Sequence, residues 1–148
     1  MDEYLTIAAV ALEQVIAAGA DKAQCMLTVD KVDEVTAEAN AFNLMRTYTD
    51  AKLTIRAIRG KKATSLIVNR TDPRSIDIAV RSCVAALDNA VEDEYADIAP
   101  LSEGFRLQRG VLSGDVASMT KRLVELSHKI KDEYPKIIFE CSGRYIHR

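Results

Sequence analysis

The stretch DAKLTIRAIRGKKATSLIVN, residues 50–69, decides the fold. Leu53, Ile55, Ala57 and Ile58 lead into Arg59-Gly60-Lys61-Lys62, and Leu66, Ile67 and Val68 return on the far side. Two apolar arms around a short turn that holds one Gly read as a β-hairpin. The hairpin region also carries the most evenly spaced basic residues of the chain: Arg46, Arg56, Arg59, Lys61 and Lys62. Arg56 alternates with Ile55 and Ala57, so it lies on the face opposite Ile55. Arg46 belongs to the preceding strand and lies near Arg56 if the register allows. Two readings stay open. One is a wet sheet face whose charges discourage edge pairing. The other is a strip on which Arg46, Arg56 and Arg59 contact an extended peptide or an acidic group.

Outward from the hairpin the period of the apolar residues sets the elements. Residues 2–18 read as a helix, with Leu5, Ala8, Ala9, Leu12, Val15 and Ile16 at helical spacing and Gly19 in the left-handed position past its end. From Lys22 the period becomes two, with Ala23, Cys25, Leu27 and Val29 on one face. Asp33-Glu34 reads as a turn. A second strand follows with Val35, Ala37, Ala39 and Ala41 inward and Glu34, Thr36, Glu38 and Asn40 outward. A change of phase at Ala41-Phe42 marks a bulge or bend. Downstream, Asp72-Pro73 opens a helix as cap and first residue, and Ile76, Ala79, Val80, Cys83, Val84, Leu87, Ala90 and Val91 form its apolar stripe.

Residues 92–114 hold an acidic cluster (Glu92, Asp93, Glu94, Asp97), three glycines and a short apolar run at Phe105 and Leu107, and read as a loop across the surface. A third helix runs from about Asp115 to Tyr134, its face made by Val116, Met119, Leu123, Leu126 and Ile130. Residues 136–141 then read as a strand, Ser142-Gly143 as a turn, and Tyr145-Ile146 as the start of a partner strand. The expected fold is α+β: an antiparallel meander of about four strands covered by two or three helices, with a further C-terminal hairpin. Residues 1–148 form one domain in this reading, divided as 1–91, 92–114 and 115–148. It reads as the front piece of a longer protein, because the last hairpin stops midway.

Composition narrows the function. With 148 residues and 48% hydrophobic content the chain can bury a core without staples. Lys+Arg 20 against Asp+Glu 22 leaves a net charge of −2, which lacks the basic excess of a nucleic-acid binder. Cys25, Cys83 and Cys141 are too scattered for a disulfide framework and suit a reducing compartment. The longest apolar stretch is too short to span a bilayer, and the acidic start is unlike a secretory signal. A soluble cytoplasmic protein is expected.

Chemistry is sparse. His128 and His147 are the only histidines, and H-E-x-x-H and C-x-x-C patterns are absent. Cys141 and His147 flank the expected turn and could meet, but two ligands do not make a metal site. Ser142-Gly143 lacks the helix and the G-x-S-x-G of a nucleophile elbow. The acidic cluster follows a helix C-terminus, where the dipole favours water around it. Arg59-Gly60-Lys61-Lys62 lacks the second Gly and the Ser or Thr of a phosphate loop. No catalytic or metal residue is assigned.

The order of elements resembles the N-terminal domain of the TldD/PmbA family, candidate modulators of DNA gyrase that comprise zinc-dependent peptidases and their non-catalytic partners. Four places carry the likeness: Ala17-Ala18-Gly19-Ala20-Asp21 before a strand, Arg56 before Gly60-Lys61-Lys62, the helix from Ser75 to Val91 with its acidic linker, and the later helix leading to Ile137 and Gly143. Lys52, Thr54 and Ala63 stand where the family is richer in glycine. The family's H-E-x-x-x-H motif is absent from this chain, so no catalytic residue carries over. The resemblance implies an accessory domain that helps form the cleft through which a peptide or unfolded polypeptide reaches a zinc site elsewhere. It also implies a homo- or heterodimer of the full-length protein, with no cofactor, nucleic acid or membrane bound by this part. The alternative is a stand-alone peptide- or protein-binding module.

Overall fold

The computed structural model describes residues 2–100, 104, 107–111 and 113–148. In chain order these form α1 (Asp2–Ala17), β1 (Lys22–Glu38), β2 (Ala41–Arg59), β3 (Lys62–Val68), α2 (Pro73–Ala85), a 3-10 turn (Ala86–Asn89), α3 (Val116–Glu133) and β4 (Cys141–His147). The sheet is four-stranded with order β3-β2-β1-β4. The α+β class and the antiparallel sheet are as the sequence implies. Phe105 of the short apolar run lies outside the described residues, and Leu107 is exposed.

The four strands are not the four expected. Asp33-Glu34 is no turn: β1 runs straight through it for 17 residues. The turn comes later, at Ala39-Asn40, whose φ angles of 48° and 67° make the mirror-image two-residue loop that suits strand twist. The phase change read at Ala41-Phe42 is the start of β2. At the C-terminus the expected hairpin is one strand, β4, antiparallel to β1 with Gly143 opposite Val35 and Arg144 opposite Glu34. Ser142-Gly143 is therefore mid-strand. A Cβ on Gly143 would meet Leu123 Cδ1 at 3.2 Å, so packing against α3 explains the glycine where a turn does not.

The chain groups into two compact units, one of residues 1–29 and 51–106, the other of residues 30–50 and 107–148. In the first, β2 pairs with β3 from Leu53↔Val68 to Arg59↔Lys62, the hairpin read from the sequence. Gly60 turns it at φ +59°, a conformation costly for any side chain, and its N–H donates to Asp21 Oδ2 at 2.7 Å. Leu53, Ile55 and Ala57 pack with Ala11 and Val15 of α1 and with Ile76, Ala79, Val80, Cys83 and Val84 of α2. Asp72 caps α2 by accepting from Ser75 N at 3.0 Å, with Pro73 first in the helix. The helix ends six residues short of the stripe's last member: Leu87 is buried in the 3-10 turn, while Val91 is 86% exposed.

In the second unit Asp115 caps α3 in the same way. Its inward residues include Leu123 and Ser127, whereas Leu126, expected on the apolar face, is 45% exposed. Val32, Val35 and Ala37 of β1 are buried. Asn40 holds the segment before β4 by donating from Nδ2 to Ile137 O at 3.0 Å and accepting Phe139 N at 3.0 Å.

Candidate functional site

The three arginines picked out as peptide contacts divide between the units. Arg59, in the first, pairs with Asp88 of the 3-10 turn, whose backbone carbonyl also accepts Lys62 Nζ at 3.1 Å. Arg56 is half-buried opposite Ser65 and makes no ion pair among the described residues. Arg46, in the second, donates from Nε to Glu34 Oε2 at 2.7 Å. They do not form one strip within either unit.

Around Arg46 a more definite arrangement stands. Glu34, read as an outward-facing turn residue, has a side chain only 2% exposed. Arg144, directly opposite it on β4, donates from Nε to Glu34 Oε1 at 2.5 Å. Each carboxylate oxygen thus receives one guanidinium, from β2 and from β4, with Glu34 on the strand between. Arg46 Cζ also lies 4.8 Å from the centre of the Tyr48 ring, within cation–π reach. The hydrogen bonds of Arg46 and then Arg144 hold the Glu34 carboxyl below the usual glutamate range. The bond to Glu34 in turn raises the Arg144 guanidinium. A buried carboxylate survives only with such partners. Glu34 and Arg144 escaped the sequence reading because adjacent acids and a Ser-Gly pair imitate turns; the opposite charges would have been informative only with the register in hand.

The other candidates separate. Cys141 and His147 are the two ends of an extended strand, roughly 20 Å apart at about 3.3 Å per residue, and do not meet. Among the described residues no group of three or more His, Cys, Asp or Glu could hold a metal. Burial, with Cys83 as a second cause, pushes the Cys25 thiol up to about 11, which keeps it protonated and unreactive near neutrality. In the acidic segment Lys22 Nζ pairs with Asp97 at 2.5 Å, and Asp93 accepts Tyr95 N at 2.9 Å. An open hollow there is lined by Lys61, Glu92, Asp93, Glu94 and Tyr95. Lys22 pairs with Asp97, and backbone N–H groups donate to Asp93 and Asp97, as in a solvated loop. Among the described residues no helix is long and apolar enough to cross a membrane.

No family profile and no curated protein matches the sequence. Solved structures do. TldE from Thermococcus kodakarensis matches with a TM-score of 0.67 over 95% of this chain at 14% identity. A candidate modulator of DNA gyrase from Bacteroides thetaiotaomicron matches with 0.69 over 99%, also at 14%. The chain has their fold. A further candidate gyrase modulator, from Thermotoga maritima, matches with 0.56 over 97% at 6% identity. These are proteins of the kind the residue motifs resemble, and at such identities the likeness is one of fold. This chain spans about a third of their length, between 34% and 35%.

Proposed function

We propose that this chain is the non-catalytic N-terminal domain of a TldD/PmbA-like protein, where it helps form the cleft that admits a peptide and the dimer that encloses it. The observation that carries this reading is coverage: structural neighbours take in 95% to 99% of this chain while the chain accounts for only a third of theirs. That is the pattern of a shared domain within a longer architecture. The parent would be a zinc-dependent peptidase or its inactive partner, acting in the cytoplasm, with the zinc ligands outside this chain. Arg56, without an ion pair among the described residues, and Arg46 are the contacts offered to peptide; Arg59 is already held by Asp88.

Sequencing the gene past codon 148 tests the reading. We expect an open frame of about twice this length to follow; a stop codon directly after Arg148 would overturn it and favour the stand-alone binding module. A continuation with H-E-x-x-x-H marks a peptidase, and one without it an inactive partner. Zinc in stoichiometric amount in the purified 148-residue chain would also count against it.

A further inference from the structure

We propose that Arg46 and Arg144, set by the buried Glu34, form a clamp for a single carboxylate carried on a peptide. Glu34 takes one Nε from each arginine, one per oxygen, at 2.7 and 2.5 Å. A guanidinium has five N–H donors, so each arginine keeps its four Nη hydrogens. Those groups meet no hydrogen-bond partner among the described residues, and the two side chains are 52% and 55% exposed. Arg46 is further steadied by the Tyr48 ring. Two forks are thus fixed at their inner edge and open at their outer edge.

Arg148, just past the end of β4, is held differently. Arg148 gives both Nε and Nη2 to Asp30, at 2.7 and 3.0 Å, so that edge of its fork is engaged by a carboxylate. At Glu34 two arginines share one carboxylate, so one positive charge and a full set of donors remain. A planar monoanion matches both the charge and the fork geometry. A phosphate dianion would leave the cluster with a net negative charge. The clamp names the group by which the peptide of the proposed cleft is gripped, and so rests on that reading.

The test is nitrogen-detected NMR of the arginine side chains in the labelled 148-residue chain. The probes are N-acetyl-trialanine with a free C-terminus, its C-terminal amide, an amidated acetyl-Ala-Glu-Ala, and inorganic phosphate. We expect the free acid, the glutamyl peptide or both to shift the Arg46 and Arg144 signals, with a dissociation constant on the order of 1 mM. Which of the two binds identifies a terminal or a side-chain carboxylate as the source. Arg144→Lys, and independently Arg46→Lys, keep the charge and lose the fork, and should weaken binding about tenfold or more. Equal shifts from the amide and the free acid would overturn the clamp while leaving the peptide-handling reading intact. Silence from every peptide would remove both for this chain. Tighter binding of phosphate than of any carboxylate, or undiminished affinity in both lysine variants, would overturn the assignment.

Discussion

The unit of residues 1–29 and 51–106 encloses Ala11, Val15, Leu53, Ile55, Ala57 and Leu87 completely. Among the described residues of the unit of 30–50 and 107–148 the buried apolar ones are Val32, Val35, Ala37 and Leu123, and a carboxylate, Glu34, is buried as well. The second unit compensates with polar ties: Thr36 Oγ1 to Asn43 Oδ1 at 2.8 Å, Asn43 Nδ2 to Glu38 at 2.7 Å, Thr47 Oγ1 to Asp33 at 2.6 Å, and Lys131 Nζ to Asn40 O at 3.0 Å. Such bonds contribute less net free energy than buried apolar area, because water competes for each group. Cores of the first kind resist change, while surfaces of the second kind leave charged groups available for a ligand. The proposed site falls in the polar unit for that reason.

The largest expected effect breaks the apolar side of this contrast. Leu53→Ala removes a wholly buried side chain from the core that β2 shares with α1 and α2 and should cost about 2–5 kcal/mol. Leu123→Ala, at the thinner layer over Gly143, should cost near the lower end, about 2 kcal/mol. Urea titration of the two variants gives the comparison. If Leu123→Ala costs as much as Leu53→Ala, the units are closed by the same force and the contrast fails.

How much of this was legible follows the same division. In the first unit the signals are local: Gly19 ends α1, Asp72-Pro73 starts α2, and Gly60 centres the hairpin, each by backbone rules that need no tertiary information. The apolar stripe of α2 overran its true end because Ala90 and Val91 keep helical spacing after the backbone has left the helix. In the second unit the determining features are pairings between distant strands. Asp33-Glu34 looks like a turn until Arg46 and Arg144 are known to face it, and Gly143 looks like a turn until Leu123 is known to approach it. Helix capping by Asp115 was legible there too, being local. The candidate site was half visible, through Arg46 alone.

Acid tests the polar side. Arg46 and Arg144 hold the Glu34 carboxyl below its ordinary value of 4.5 in the folded chain. The stabilisation is therefore complete above the unfolded value and is lost as pH falls through the lower, folded one. Glu34→Gln should be less stable than the parent at neutral pH. The gap should narrow below pH 4.5, since a protonated Glu34 and a Gln carry the same charge. Paired urea midpoints between about pH 7 and about pH 3 measure it. A gap that stays constant with pH would mean Glu34 acts by shape, and the ionic account of this unit would go.

The smallest effect has the opposite sign. Ser127 is buried on α3 and its Oγ has no hydrogen-bond partner among the described residues. Thr120 on the same helix shows the usual remedy, donating from Oγ1 to Val116 O one turn back at 2.8 Å. A hydroxyl without that bond carries its desolvation cost uncompensated, and serine is also a weaker helix former than alanine. Ser127→Ala should thus stabilise the chain by about 1 kcal/mol, whereas Thr120→Ala should not. A rise in the urea midpoint for Ser127→Ala alone would show that the thin core of the second unit is improvable by apolar substitution. A fall would mean the Ser127 hydroxyl is engaged in solution, and that this unit relies on polar contacts even beneath its covering helix.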